Sequence, residues 1–69
     1  MSRLQQLRES RRITQAELAR QASVTQQAVA KWEARESFPR ADKLPVLARI
    51  LGCTINDLFE DNEKAASNG

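Results

Sequence analysis

The stretch TQAELARQASVTQQAVAKWE, residues 14–33, contains two consecutive signals for the start of a helix. Thr14 and Glu17 have the spacing of a capping box, in which each side chain accepts a hydrogen bond from a backbone N–H in the first turn. Thr25 repeats the threonine cap eleven residues later. The spacing predicts two short helices joined by about three residues.

The sequence on either side of this stretch also predicts helices. Glycine and proline occur twice each, and no segment alternates apolar and polar residues as a half-buried strand does. Asp42 is the best cap for a fourth helix and puts Pro45 at its third position. TIND, residues 54–57, opens a fifth. We therefore expect an all-α fold of five helices, over about 2–11, 15–22, 26–34, 43–51 and 55–59.

The length of the chain predicts one small domain. Its 69 residues bury a limited core. We expect the folded domain to cover residues 1–60. The polar, unpatterned residues 61–69 are expected to form a disordered tail, or equally the beginning of a linker.

The composition argues against an enzyme. There is no histidine and no tyrosine, and the single Cys53 excludes an internal disulfide and a thiolate zinc cluster. We therefore expect no catalysis and no cofactor, with Cys53 as a small buried side chain. No apolar run of about 18 residues and no signal peptide is present. The expectation is a cytoplasmic protein with no membrane partner.

The charges are distributed unevenly along the chain. Residues 1–40 hold eight Arg and Lys against four Asp and Glu, whereas residues 41–69 hold three against five. A net positive N-terminal part suits a polyanionic partner, although an ordinary solvated surface has the same composition.

The spacing of the two threonine caps is typical of a helix-turn-helix unit. In that unit the first helix crosses the DNA backbone and the second enters the major groove. A hairpin of two helices that only builds a core would have the same spacing. The caps alone leave both interpretations open.

Three stretches carry a resemblance to a known family: LRESRRITQAELA, VTQQAVAKWE and FPRADKLPVLARILGCTINDLF. Over residues 3–59 the chain resembles the lambda-repressor and Cro family of small bacterial and phage regulators, often called Xre-type. The resemblance implies a five-helix domain that binds double-stranded DNA. It also implies an ion pair between Arg8 and Glu33. No small-molecule ligand is inferred, and we expect a homodimer at least on DNA, because one recognition helix reads too few base pairs to select a site.

Two positions depart from the family pattern. Ser23 lies in the inter-helix turn where the family usually has glycine. Serine must either accept a left-handed backbone there, at about 1 kcal/mol, or form a different turn. Arg35 lies after the third helix where the family favours Gly or Asn. A tight turn at Arg35 is therefore in question.

Within a helix-turn-helix unit, the start of the third helix is the place where bases are read. Gln26 and Gln27 can each donate and accept, which matches the major-groove edge of adenine. Outside that motif, two solvated glutamines would have no role. Thr25 can place its methyl group near a thymine, and Lys31 can reach a guanine or a phosphate.

Other side chains suit the DNA backbone. Gln15 begins the second helix, whose N-terminal amides favour a phosphate, and the matching glutamine of the family clamps the backbone. Arg35 and Arg40 flank the loop after the third helix and are candidate phosphate contacts. Trp32 could stack on unpaired bases, but its spacing from Val29 favours the core.

The function predicted from the sequence is sequence-specific DNA binding by a transcription regulator, most simply a repressor on a palindromic operator. Ile55 and Phe59 are the candidate dimer interface, because a short fifth helix cannot bury all its apolar residues. One alternative is a helix-turn-helix component of a toxin–antitoxin or other complex that acts through a protein partner. Another is the DNA-reading part of a larger ligand-sensing or self-cleaving regulator.

Overall fold

The computed structural model describes residues 2–58, which contain five α-helices and one turn of 3₁₀ helix at Ala41–Lys43. The all-α prediction is confirmed. Phe59, the predicted end of the fifth helix, and the tail 61–69 lie outside the described residues. The helices are α1 Arg3–Ser10, α2 Gln15–Ala22, α3 Gln26–Glu33, α4 Leu44–Leu51 and α5 Ile55–Leu58.

The threonine caps form as the sequence predicts. Thr14 accepts from the backbone N–H of Glu17 and Thr25 from that of Ala28, both at 3.0 Å. The predicted return bond from Glu17 does not form within the described residues. Its carboxylate instead pairs with Arg20 and accepts from Gln21 Nε2 at 2.6 Å. The hydrogen bond with Arg20, and after it the bond from Gln21, hold the pKa of Glu17 below its usual value.

The start of α4 corrects one prediction. Asp42 does not cap the helix, because it lies inside the 3₁₀ turn that runs directly into it. Lys43 is the N-cap residue and makes no side-chain capping bond, and Pro45 is the second helical residue rather than the third. The 3₁₀ turn satisfies backbone groups that a capping side chain would otherwise satisfy.

The core lies where α2, α3 and α4 meet. Leu18, Val29, Leu47 and Leu51 have 0–1% of their surface exposed. Trp32 is half-buried and packs against this cluster, in agreement with the core interpretation. Packing on both sides of α3 fixes its direction relative to α2 and leaves its remaining face to solvent.

Each of the first four helices ends in the same way. A residue with left-handed backbone follows the helix, and the next N–H bonds to a carbonyl five residues earlier. The left-handed residues are Arg12, Ser23, Arg35 and Gly52, with φ of 58°, 59°, 62° and 66°. Three of the four carry a side chain, so these turns store strain of about 1–2 kcal/mol each.

Ser23 and Arg35, the two departures from the family pattern, both adopt the left-handed backbone that glycine usually provides. Ser23 accepts the left-handed backbone, and the following Val24 N–H bonds to Ala19 O at 2.9 Å. Arg35 also forms a tight turn, with Glu36 N–H on Lys31 O at 2.9 Å. Both turns therefore keep the geometry for which glycine is usually selected.

Candidate nucleic-acid interface

The unit formed by α2 and α3 is rigid because its turn is bonded at both ends. Ser23 N–H bonds to Arg20 O at 3.3 Å, and Thr25 caps the first turn of α3. Lys43 donates from Nζ to Ala22 O at 2.7 Å, which anchors the last turn of α2 from the side of α4. A surface carried by α3 is consequently held in one orientation.

One face of α3 is exposed and carries polar side chains. Thr25, Gln26, Gln27 and Lys31 are all exposed, whereas Val29 on the opposite face is fully buried. The side chains of Gln26, Gln27 and Lys31 make no hydrogen bond within residues 2–58. Their donors and acceptors are therefore available to a partner without breaking an internal bond.

The charge of this face is positive at Lys31 and otherwise neutral. Glu33, the acidic residue of α3, is only 8% exposed and lies against Arg8 rather than in solvent. The amides of the first turn of α3 add the positive end of the helix dipole. The exposed face therefore presents hydrogen-bonding groups with no uncompensated negative charge.

Arg8, Glu33 and Gln15 form one hydrogen-bond network at the C-terminal end of α3, in which Arg8 and Glu33 are buried. Arg8 donates from Nε to Glu33 Oε2 at 2.6 Å and from Nη2 to Oε1 at 3.2 Å. Its Nη1 donates to Ile13 O at 2.6 Å, and Gln15 Nε2 donates to Glu33 Oε1 at 3.0 Å. The hydrogen bond to Glu33, followed by the charge attraction, raises the pKa of Arg8.

The candidate phosphate contacts occupy different places. Arg35 and Arg40 are exposed in the segment after α3, where Arg40 Nε lies 3.8 Å from an exposed carboxylate oxygen of Asp42. Gln15 is half-buried, with its amide on the last residue of α3. An eight-residue helix is about 12 Å long, so Gln15 and the pair Gln26–Gln27 lie near opposite ends of α3.

Only one of the two candidate dimer residues, Ile55, lies in the part of the chain that the structure describes. Ile55 is 39% exposed and lies outside the core cluster, and Phe59 lies outside the described residues. A second apolar surface surrounds a cavity of about 300 Å³ between α1, the end of α3 and the following loop. Trp32 and the 42% exposed Phe38 line that cavity.

Two basic residues with structural roles were missed at the level of sequence. Arg11 Nε donates to Leu51 O at 2.9 Å, and Lys43 donates to Ala22 O. Each residue supplies donors to the unpaired carbonyls at the end of a helix distant in sequence. No local pattern marks such a contact, since the helix that needs the donor is not the helix that provides it.

Residues 2–58 contain no candidate metal site, because no group of three His, Cys, Asp or Glu side chains among them is close enough to hold an ion. No helix in this part of the chain is long and apolar enough to cross a membrane. Burial is the main cause of a raised pKa at Cys53, so its thiol stays protonated near neutral pH.

Comparison with known proteins agrees with this architecture. The family model described as "Helix-turn-helix" matches residues 4–58. The chain is 34% identical over 61 residues to "HTH-type transcriptional activator BcrR" of Enterococcus faecalis, covering 88% of the chain and 30% of that protein. It is 50% identical over 40 residues to the "26 kDa repressor protein" of Escherichia phage HK022, covering 58% and 17%.

These relatives are longer proteins, and the chain spans less than a third of the length of either. No solved structure matches significantly. The family match nevertheless covers nearly all described residues, including both helices of the rigid unit and the core around them. The chain therefore belongs to the lambda-repressor-like (Xre-type) helix-turn-helix family.

Proposed function

We propose that this chain is the DNA-binding domain of a transcription regulator that recognises a specific duplex sequence through α3. The observation that carries the proposal is the exposed face of α3, where the side chains of Gln26, Gln27 and Lys31 make no hydrogen bond within residues 2–58 and the acidic Glu33 is buried against Arg8. A rigid helix with such a face fits the major groove, which is wide enough for one α-helix.

In this proposal some side chains read bases and others contact the DNA backbone. Gln26 and Gln27 have the donor and acceptor pair that matches adenine N7 and N6, and the methyl group of Thr25 suits thymine. Lys31 is placed one turn further along for a guanine edge or a phosphate. Gln15, Arg35 and Arg40 contact phosphates, which supply affinity and register but no sequence choice.

Two copies of the chain bind together on DNA. One eight-residue helix reads too few base pairs to select a site in a genome, and helix-turn-helix proteins solve this with two half-sites about 34 Å apart. Ile55, which leaves 39% of its surface exposed, and Phe59 form the interface between the copies. The operator is then an approximate palindrome with half-site centres about 10 base pairs apart.

Repression is the regulatory outcome that requires least of this domain. A protein bound across a promoter excludes RNA polymerase by occupancy alone, whereas activation requires a further contact with the polymerase. The related proteins include one named as an activator and one named as a repressor. Transcription in vitro from a template that carries the selected operator shows directly whether the protein represses or activates.

Selection of bound sites from random duplex DNA tests the proposal. We expect enrichment of a palindromic site, with affinity that falls steeply as salt rises. Footprinting should then cover both half-sites, and analytical ultracentrifugation should give two chains per duplex. Salt-dependent binding without sequence enrichment would refute specific recognition and favour a protein partner as the main function. One chain on one asymmetric half-site, at full affinity, would refute the dimer.

A further inference from the structure

The carboxylate of Glu33 is bound from two sides. Arg8 donates two hydrogen bonds to it, at 2.6 Å and 3.2 Å, and Gln15 Nε2 donates a third at 3.0 Å. Its side chain is 5% exposed, and Arg8 is 9% exposed as a whole residue. Gln15 is the first residue of α2 and is only half-buried, so part of it still reaches solvent.

The bond to Glu33 fixes the orientation of the Gln15 amide. A glutamine side chain loses rotamer entropy when it is immobilised. Here that ordering takes place on folding, before any partner is present. The amide nitrogen has two hydrogens, and the bond to Glu33 uses one of them. The second N–H and the amide oxygen are held in a defined direction at the start of α2.

Arg8 makes the charge of Glu33 compatible with this arrangement. A bare carboxylate 3.0 Å from the amide nitrogen would repel a phosphate that approaches the same residue. The guanidinium contacts both carboxylate oxygens and compensates that charge. The ion pair is therefore more than a brace between α1 and α3, because it also sets the field around Gln15.

We propose that Glu33 is a positioning residue for the contact between Gln15 and a DNA phosphate, and that Arg8 neutralises it for that purpose. The inference rests on the proposed function, in which Gln15 contacts the backbone. Glu33 does not touch the DNA. It acts through Gln15, whose remaining N–H donates to a phosphate oxygen while the bond to Glu33 persists.

A double-variant cycle on duplex DNA tests this positioning role. Arg8→Met with Glu33→Leu removes the ion pair and the acceptor together and replaces them with apolar groups of similar size, a change that folded proteins often tolerate. In the wild-type background, Gln15→Ala should weaken binding about tenfold, the effect of one hydrogen bond to a charged group. In the background of the double variant, the same change should cost less than about twofold.

A matched control separates this effect from a general loss of helix stability. Gln21→Ala makes the same substitution near the other end of α2, where the amide bonds to the partly exposed Glu17. It should leave DNA affinity unchanged in both backgrounds. Because glutamine is uncharged, Gln15→Ala should lower affinity equally at two salt concentrations, unlike loss of a cationic contact.

Each outcome of the cycle has a defined meaning. An equal loss for Gln15→Ala in both backgrounds would refute the positioning role and leave the proposed function intact. Absence of salt-dependent duplex binding by the wild type would refute both. Should the double variant not fold, NMR of the wild-type Gln15 amide decides. One exchange-protected Nε2 proton in both the free and DNA-bound protein supports the inference, and loss of protection on binding refutes it.

Discussion

The guanidinium of Arg11 lies over the backbone of Gly52, where an added methyl group would come within 1.7 Å of Arg11 Nη2. Arg11 donates from Nε to Leu51 O at 2.9 Å and from Nη2 to Gly52 O at 3.4 Å. The residue after α1 thereby binds the unpaired carbonyls at the end of α4. Glycine at position 52 avoids both the strain of a side chain at a φ of 66° and this close approach.

Gly52→Ala should destabilise the fold by about 2 kcal/mol, the sum of left-handed strain and displaced hydrogen bonds. Chemical denaturation followed by circular dichroism measures the change. In an Arg11→Ala background the same substitution should cost about 1 kcal/mol, since only the backbone strain remains. Equal costs in both backgrounds would show that displacement of Arg11 contributes nothing to the cost of Gly52→Ala.

Ser23→Gly and Arg35→Gly should each stabilise the protein by about 0.5–1 kcal/mol. Relief of left-handed strain exceeds the entropy that glycine adds to the unfolded chain. Thermal unfolding of the single and double variants measures the gain. Gln6→Gly, at an exposed helical position, is the control and should destabilise by about 1 kcal/mol. A loss of stability at Ser23→Gly would contradict the assignment of strain to that turn.

Arg8→Ala should lower the free energy of unfolding by about 3 kcal/mol, because Glu33 is then buried without its cationic partner. Arg8→Met combined with Glu33→Leu should cost about 1 kcal/mol or less, since no charge remains buried. Urea titrations of the three proteins test the difference. If the single and double variants were equally unstable, lost packing rather than an unpaired charge would be the cause.

Gln27→Ala and Arg40→Ala should differ in their effects on DNA binding. Gln27→Ala should lose about 1–3 kcal/mol on the selected operator and little on random duplex. Arg40→Ala should weaken both alike and reduce the salt dependence by about one ion. Fluorescence anisotropy at several salt concentrations distinguishes them. The division into base readers and phosphate contacts fails if the two variants give the same profile.

The helix start at Thr54 and Asp57 should be sensitive to acid. Thr54 N–H donates to the Asp57 carboxylate at 3.0 Å and holds the pKa of Asp57 below its usual 3.8. A lowered pKa means that the stabilisation is complete above about pH 4 and is lost as pH falls further. The melting temperatures of wild type and Asp57→Asn should therefore converge below pH 4. A constant difference at all pH values would contradict this origin.

The parts of the fold that local chemistry controls could be predicted from the sequence. Thr14 and Thr25 mark the starts of α2 and α3, and both helices begin one residue after these caps in the structure. The apolar spacing of Leu18 and Val29 identified the faces that turn inward. The Arg8–Glu33 pair came from family resemblance, since the two residues are too far apart in sequence for any local pattern.

The remaining features depend on tertiary contacts. Asp42 is of a residue type that often caps helices, but it lies inside a 3₁₀ turn that leads into α4 and makes a side-chain cap unnecessary. Gln15 was assigned only to the DNA backbone, whereas its amide also bonds to Glu33 across two helices. Left-handed residues at Arg12 and Arg35 contradict local preference. Their turns are closed by hydrogen bonds from Ile13 N–H to Arg8 O and from Glu36 N–H to Lys31 O. Base-reading side chains remain predictions until they are tested on DNA.

The brevity of the helices has a consequence for folding kinetics. Helices of eight residues are unstable in isolation, so each forms only as it packs against its neighbours. Most of these neighbours are close in sequence, and such a topology folds rapidly. The bond from Arg11 to Leu51 is different, because it joins residues 40 positions apart. It should form after the rate-limiting step, so that its removal speeds unfolding and leaves the folding rate nearly unchanged.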